Sequence, residues 1–284
     1  GRIVDPDGFF HVAQARRVFG GGMPNLPLSI FGTTGWVDHQ LGHHLLLAPF
    51  AWLLPGVLAG KVSAAVFAAA ALFALRRMLR RLDVPHAGWA VFLPLACSWT
   101  FLVRLEMPRT QALSLCLLAL SVTAIVEGRH RLLFVLAWAF AWTYQMSLLL
   151  LPVAITWAAL TRILPPAGRE RSPFAPPAAV AAGLAAGLLI HPHSPGTLRF
   201  LWQHVILKVL NREVLPVGTE WSIGGLGPLL AQAGAGLVLV GIALGLALWS
   251  WRRRRRPDAA SVFLLLLALG ATGAASVATK FLEY

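Results

Sequence analysis

The sequence predicts an all-α protein, a polytopic transmembrane helical bundle of about eight spans whose large first outer loop carries interfacial helices. Three observations predict it. Of the 284 residues, 57% are hydrophobic and only 12% are charged, about half the charged fraction of a soluble domain. Long apolar runs recur along the whole chain, and mean hydropathy is +0.70. Basic residues gather in short clusters between those runs, as they do in loops on the cytoplasmic side of a membrane. The net charge of +13 does not mark a nucleic-acid binder, because no basic stripe with interleaved aromatics is present.

Residues 1–57 form the first outer segment. Asp5 suits a helix N-cap, Pro6 the first helical position, and Asp7 the positive end of the helix dipole. His11 follows Asp7 by four residues and so shares its helix face. An acid and an imidazole at that spacing suit metal binding or the holding of a proton acceptor. Phe9, Phe10, Val12, Val18 and Phe19 give the helix an apolar side for the membrane interface. Gly20-Gly21-Gly22 ends it, and with no strand before it the triplet is not a phosphate-binding fingerprint. Further on stand Trp36-Val37-Asp38-His39-Gln40 and His43-His44, in which His39 and His43 are spaced to share a face. Each of these histidines also reads as an ordinary interfacial residue. Leu45 to Leu54 reads as a surface helix stopped by Pro55-Gly56.

Spans are expected at Leu58–Leu75, Gly88–Val103, Thr110–Val126, Pro177–Ile190, Gly225–Trp251 and Ala259–Thr279, with two more inside the uncharged stretch Leu132–Thr161. As one helix that stretch would be about 45 Å long, against a hydrocarbon core of about 30 Å. Two spans turning at Thr143-Tyr144-Gln145 place the loops Arg76–Arg81, Gly128–Arg131, Arg162–Arg171 and Arg252–Arg256 on one side, where they hold 14 of the 24 Lys and Arg. The positive-inside rule selects this parity. Residues 58–190 are then spans with short loops, 191–224 a second outer segment, and 225–284 further spans with a truncated C-terminus. Beginning at Gly1 and stopping just after an apolar run, the chain reads as a fragment or processed form. Ala178–Ala186 reads as helix packing through small residues, and Cys97 and Cys116 as small core hydrophobes.

The spans are nearly empty of ionisable groups. Seven of the nine histidines fall in outer segments, as do Asp5, Asp7, Asp38, Glu106, Glu213 and Glu220. A transport route carries polar groups near mid-membrane. This distribution favours a site at the outer membrane–water boundary.

These residues also resemble a known family. Asp5-Pro6-Asp7-Gly8-Phe9-Phe10-His11 resembles the start of the first outer loop in GT-C membrane glycosyltransferases, the class of the oligosaccharyltransferase catalytic subunits and the dolichyl-phosphate-mannose protein mannosyltransferases. Trp36-Val37-Asp38-His39-Gln40 is similar to the Trp-Val-Asp-His-Glu segment that follows there. His191-Pro192-His193-Ser194-Pro195-Gly196, Glu220-Trp221 and Lys280-Phe281-Leu282-Glu283-Tyr284 are similar, in order, to three later elements. The resemblance implies an enzyme that moves a sugar from a polyprenyl-phosphate donor in the membrane lipid to an acceptor on the outer, periplasmic face of a bacterial inner membrane. It implies that Asp7 is the principal catalytic acid residue, as general base or metal ligand, supported by Asp5 and His11. Asp38, His39, Arg104, Glu106, Arg109, His191 and Glu220 would bind substrate. A divalent cation, Mg or Mn, would sit on Asp7 and Glu106. The sequence departs from the pattern in the loop Arg104–Arg109, where Glu106 is the lone acid and Arg104 stands in the place of a second, and at Gln40 and His191. Arg104, Arg109, Arg199, Lys208 and Arg212 are the outer cations available to a phosphate leaving group, Arg109 foremost because its loop is shortest. The competing readings are a lipid or solute transporter or flippase, and a non-catalytic relative that binds a lipid-linked sugar.

Overall fold

The computed structural model describes residues 6–20, 37–164, 172–206, 226–252 and 259–277, and all their regular structure is helical. At the start lie α1 (Pro6–Arg17), α2 (Leu41–Leu53) and α3 (Gly56–Arg81). Three short helices follow, α4 (Ala87–Ala90), α5 (Leu93–Cys97) and α6 (Trp99–Glu106). Next come α7 (Thr110–Glu127), α8 (His130–Thr143), a 3-10 turn (Ser147–Leu149), α9 (Leu150–Ile163) and α10 (Ala175–Ile190). After α11 (Gly196–Leu201) and one π turn, α12 (Leu226–Arg252) and α13 (Ala259–Val277) complete the described chain. By length and apolar composition, α3 and α7 are two described helices able to cross a membrane.

Pro6 opens α1 as its position predicts, and Asp7 stands in the first turn. The long uncharged stretch does break where the loop charges require. Tyr144 caps α8 in an extended conformation and donates its N–H to the Phe140 carbonyl, and the chain turns before α9. Tyr144, Met146 and Ser147 are all buried, so the turn is packed inside protein. One expected span is not a continuous helix. Gly88–Val103 is three short helices, because Pro94 starts a new helix and Ser98 leaves helical geometry at φ −143°, ψ 110°. The Ser98 hydroxyl then caps α6 by accepting the Phe101 N–H at 3.2 Å.

Helix α10 lies along α8 at close range. A Cβ on Gly183 would collide with the Phe134 carbonyl, and one on Gly187 would come within 2.8 Å of the Ala141 Cβ. Two small residues four apart thus let the backbones touch, the packing device of helices that lack a hydrophobic drive to associate. Gly183 faces Phe134 and Ala137 while Gly187 faces Trp138 and Ala141, so the two helices run the same way. The Trp142 indole locks the pairing by donating to the Gly187 carbonyl at 2.8 Å. Ile125, Leu133, Phe140, Leu150, Val180 and Phe263 fill the core between α7, α8, α9, α10 and α13.

The two ends of this bundle differ in charge. At one, the Glu127 carboxylate forms ion pairs with Arg81, whose Nε lies 3.0 Å away, and with Arg129, whose Nε lies 2.8 Å away, tying the C-terminus of α3 to the corner between α7 and α8. Arg162 lies 4.6 Å over the Phe174 ring, joining the end of α9 to the start of α10. Two of the loops grouped by the charge argument, Arg76–Arg81 and Gly128–Arg131, therefore meet in space. At the opposite end meet the start of α3, the start of α7, the end of α8 and the end of α10, and α1 and α2 pack there.

The glycine contact makes a measurable claim. Gly183→Val should destabilise the protein by about 1–3 kcal/mol through overpacking, read as a lower midpoint of thermal unfolding in detergent, whereas Gly241→Ala, with open space around it, should change little.

Candidate functional site

The acid- and histidine-rich end is built on α1 and α2. Arg16 Nε donates to the Ala51 carbonyl at 2.8 Å, and Val12, Ala15, Leu47 and Ala48 are buried between the two helices. Helix α2 itself is pressed onto the end of α8, where a Cβ on Gly42 would fall 2.7 Å from Thr143 Oγ1. This contact turns His43 and His44 inward, and both are almost wholly buried.

His11, His43 and His44 form a triangle of imidazoles with ring centroids 5.2–5.6 Å apart. His11 Nδ1 lies 2.9 Å from His44 Nε2. His44 Nδ1 lies 2.9 and 2.8 Å from the two oxygens of Asp38. The carboxylate also accepts the Gln40 N–H at 3.1 Å, and only 2% of Asp38 is exposed. Burial pushes its carboxyl up, but the His44 hydrogen bond, the neighbouring imidazoles and the Gln40 N–H outweigh it and hold it below the usual carboxylate value. His11 is held well below the ordinary imidazole value, first by burial and then by His43, His44, Arg109 and His39 around it.

His43 is different. Among the described residues neither of its ring nitrogens has a hydrogen-bond partner, and it packs edge-on to Phe67. Burial, with His44 beside it, drives its pKa down to about 3, only weakly opposed by the Pro108 carbonyl and Asp38. It is a neutral imidazole.

At the rim, Arg109 Nη2 donates to Asp7 Oδ2 at 2.6 Å. The Asp7 side chain is 63% exposed and that of Arg109 18%. The pair joins the first turn of α1 to the residue before α7, 102 positions apart in the chain. It sits next to the histidine triangle, because Asp7 is one helical turn before His11 and the Arg109 charge acts on His11. On the other flank, His39 stacks on Phe200 at 4.0 Å. His191 lies edge-on to Trp142 at 5.2 Å. It is 3% exposed, and its Nδ1 accepts the His193 N–H at 3.1 Å. Among the described residues its buried Nε2 has no hydrogen-bond partner. Burial and His193 lower its pKa to about 4, against an opposing pull from Asp38.

The fold therefore gathers Asp7, His11, Asp38, His39, Arg109 and His191 at one end. Asp5 and Glu220 lie outside the described residues. Arg104 is half-buried on α6, and Glu106 ends that helix exposed to solvent. His44, the centre of the hydrogen-bonded chain, escaped the sequence reading because α2 was expected to begin at Leu45. It begins at Leu41, so His44 rather than His39 shares the interior with His11. Trp142, which flanks His191, carried no sequence signal beyond the apolar run around it.

The expected divalent cation would rest on Asp7 and Glu106. Mg and Mn take several oxygen ligands in octahedral array, but the Asp7 carboxylate is already engaged by a guanidinium. Among the described residues no group of three or more His, Cys, Asp or Glu is arranged to hold a metal ion. An apolar cavity of about 480 Å³ lies between α3, α7, α9 and α13, and none of its lining residues belongs to the cluster. No family model, curated protein or solved structure matches the chain.

The buried imidazoles set a pH dependence. His11 and His43 bind a proton less readily folded than unfolded, so they cost nothing above an unfolded value near 6.5. Stability falls as pH drops below that value, and for His43 the loss continues to about pH 3. By pH 5 the His43 share is about 2 kcal/mol. Thermal unfolding followed from pH 7.5 to 5 should show this slope, and His43→Leu should flatten it.

Proposed function

We propose that this protein is a GT-C-type membrane glycosyltransferase that moves a sugar from a polyprenyl-phosphate donor to an acceptor at the outer face of the membrane. The observation that carries the reading is the meeting of Asp7 and Arg109, from distant parts of the chain, beside a buried chain of histidines at the end of the bundle opposite its arginine-rich corners. Transfer from a lipid phosphate asks for that arrangement. A cation must face the phosphate that leaves with the bonding electrons, and a base must stand near the hydroxyl that attacks. Arg109 suits the first task, because a guanidinium matches phosphate oxygens in pairs. Asp7 holds that guanidinium at the rim and is the carboxylate on which transfer depends.

The same reading gives the chain about eight spans in the inner (plasma) membrane of a bacterium, with the site on the periplasmic side and the donor arriving through the lipid. Exposed apolar residues such as Phe73, Trp89, Ile155, Leu189 and Trp249 on the outer surfaces of successive helices support contact with hydrocarbon. The alternative of a transporter has less support. Among the described residues the charges lie in loops and toward helix ends, whereas a transporter's substrate site is built near mid-membrane.

The test is transfer of radiolabelled sugar from synthetic short-chain polyprenyl-phosphate monosaccharides by the full chain in proteoliposomes, with membrane extract as acceptor. Asp7→Asn should abolish product while the protein stays folded, and Arg109→Lys should lower transfer by about 10²-fold, the scale of one lost electrostatic contact to the reacting centre. Full activity in Asp7→Asn removes the proposal, as does movement of the labelled lipid across the bilayer with no glycosyl product.

A further inference from the structure

Asp38, His44 and His11 form one hydrogen-bonded chain, and simple donor–acceptor chemistry fixes its protons. A carboxylate accepts and does not donate. The His44 Nδ1 at 2.9 and 2.8 Å from the two Asp38 oxygens therefore carries a hydrogen. In neutral His44 the other nitrogen, Nε2, is then a bare lone pair. The 2.9 Å contact with His11 makes His11 Nδ1 the donor, which leaves the His11 lone pair on Nε2. A proton added there shifts the pattern along. His11 passes its Nδ1 hydrogen to His44, both His44 nitrogens then donate, and the positive charge rests beside the Asp38 carboxylate. The chain has two states one proton apart, and they turn His11 Nε2 from acceptor to donor.

We propose that this chain is the proton acceptor of the transfer reaction, with His11 taking the acceptor's hydroxyl proton and His44 and Asp38 positioning His11 and holding the charge. The proposal rests on the glycosyl-transfer reading. As the acceptor O–H bond breaks, the N–H bond at His11 Nε2 forms. The acceptor oxygen bonds to the anomeric carbon. The bond from that carbon to the phosphate oxygen breaks, and its electron pair leaves with the phosphate. Asp7 is not needed as the base, since its carboxylate engages Arg109 at 2.6 Å. The groups acting on His11 are His43 and His44 from α2, His39 before α2 and Arg109 before α7, and with burial all of them disfavour its charged form. The buried Asp38 carboxylate stands at the far end of the chain, hydrogen-bonded to His44, where the relayed charge comes to rest.

The test reads the protons directly. Nitrogen-15 NMR of histidine-labelled full chain in lipid bilayers at pH 7.5 should place the hydrogen of both His11 and His44 on Nδ1, with assignments from His11→Gln and His44→Gln. Asp38→Asn should mix the His44 tautomers, because an amide both donates and accepts. In the transfer assay, His11→Gln should lose about 10²–10⁴-fold in rate, the share of a general base. Asp38→Asn should lose less and change the low-pH limb of the kcat/KM profile. A His44 hydrogen on Nε2 in the wild-type protein overturns the proposal without recourse to any variant, and so does wild-type transfer by His11→Gln. The NMR result needs no substrate: the expected tautomers with no transfer from any donor leave the relay's protonation pattern standing and remove the glycosyl-transfer reading beneath it.

Discussion

A carboxylate on a side chain only 4% exposed must be paired, and the pairing of Asp38 with His44 is the constraint on which this end of the molecule depends. An unpaired buried charge would cost several kcal/mol, so the segment before α2 can settle only where an imidazole meets it. His44 meets it because α2 begins early and lies on the end of α8. His44 in turn offers its second nitrogen to His11, which fixes α1. Through α1, Asp7 is brought to Arg109. One electrostatic requirement thus orders four segments that are distant in sequence.

The bundle beneath supplies the platform for that order. Backbone contact between α8 and α10, made possible by Gly183 and Gly187, brings the end of α10 close to Trp142 and sets His191 against that indole. At the far end, Glu127 gathers two arginines and holds α3 to the α7–α8 corner. The positions of the outer helix ends follow from these contacts, since a helix fixed at one end and along its side has little freedom at the other.

Much of the fold was legible because its signals are local or global and need no knowledge of packing. Pro6 at the start of α1, the apolar runs of α3 and α7, and the break at Tyr144 could be read from residue types and loop charge. The 88–103 segment misled because its hydrophobicity is that of a continuous helix. The interruption rests on Pro94 and on the extended backbone of Ser98, whose effect depends on the neighbours available to satisfy the freed groups. In the site, the acids and the Asp7–His11 spacing could be read, and Arg109, foremost of the expected outer cations, meets Asp7. The role of His44 could not. Periodicity paired His39 with His43, and the partner of Asp38 was decided by where α2 starts, a boundary that the contact of Gly42 with Thr143 favours and residue preference does not mark.

The described helices α8 and α9 have 14 residues each and α10 has 16, about 21–24 Å at 1.5 Å per residue. A bilayer's hydrocarbon layer is about 30 Å deep. If these helices cross it, the lipid beside them must thin or their flanking residues must reach outward to make up the difference. Thinning would lower the headgroup plane toward the end of α8, where Trp142 and the histidines stand. On the glycosyl-transfer reading proposed above, a phosphate carried on a lipid would then travel a shorter vertical distance to reach Arg109, and the shortness of three helices would shape the membrane around it.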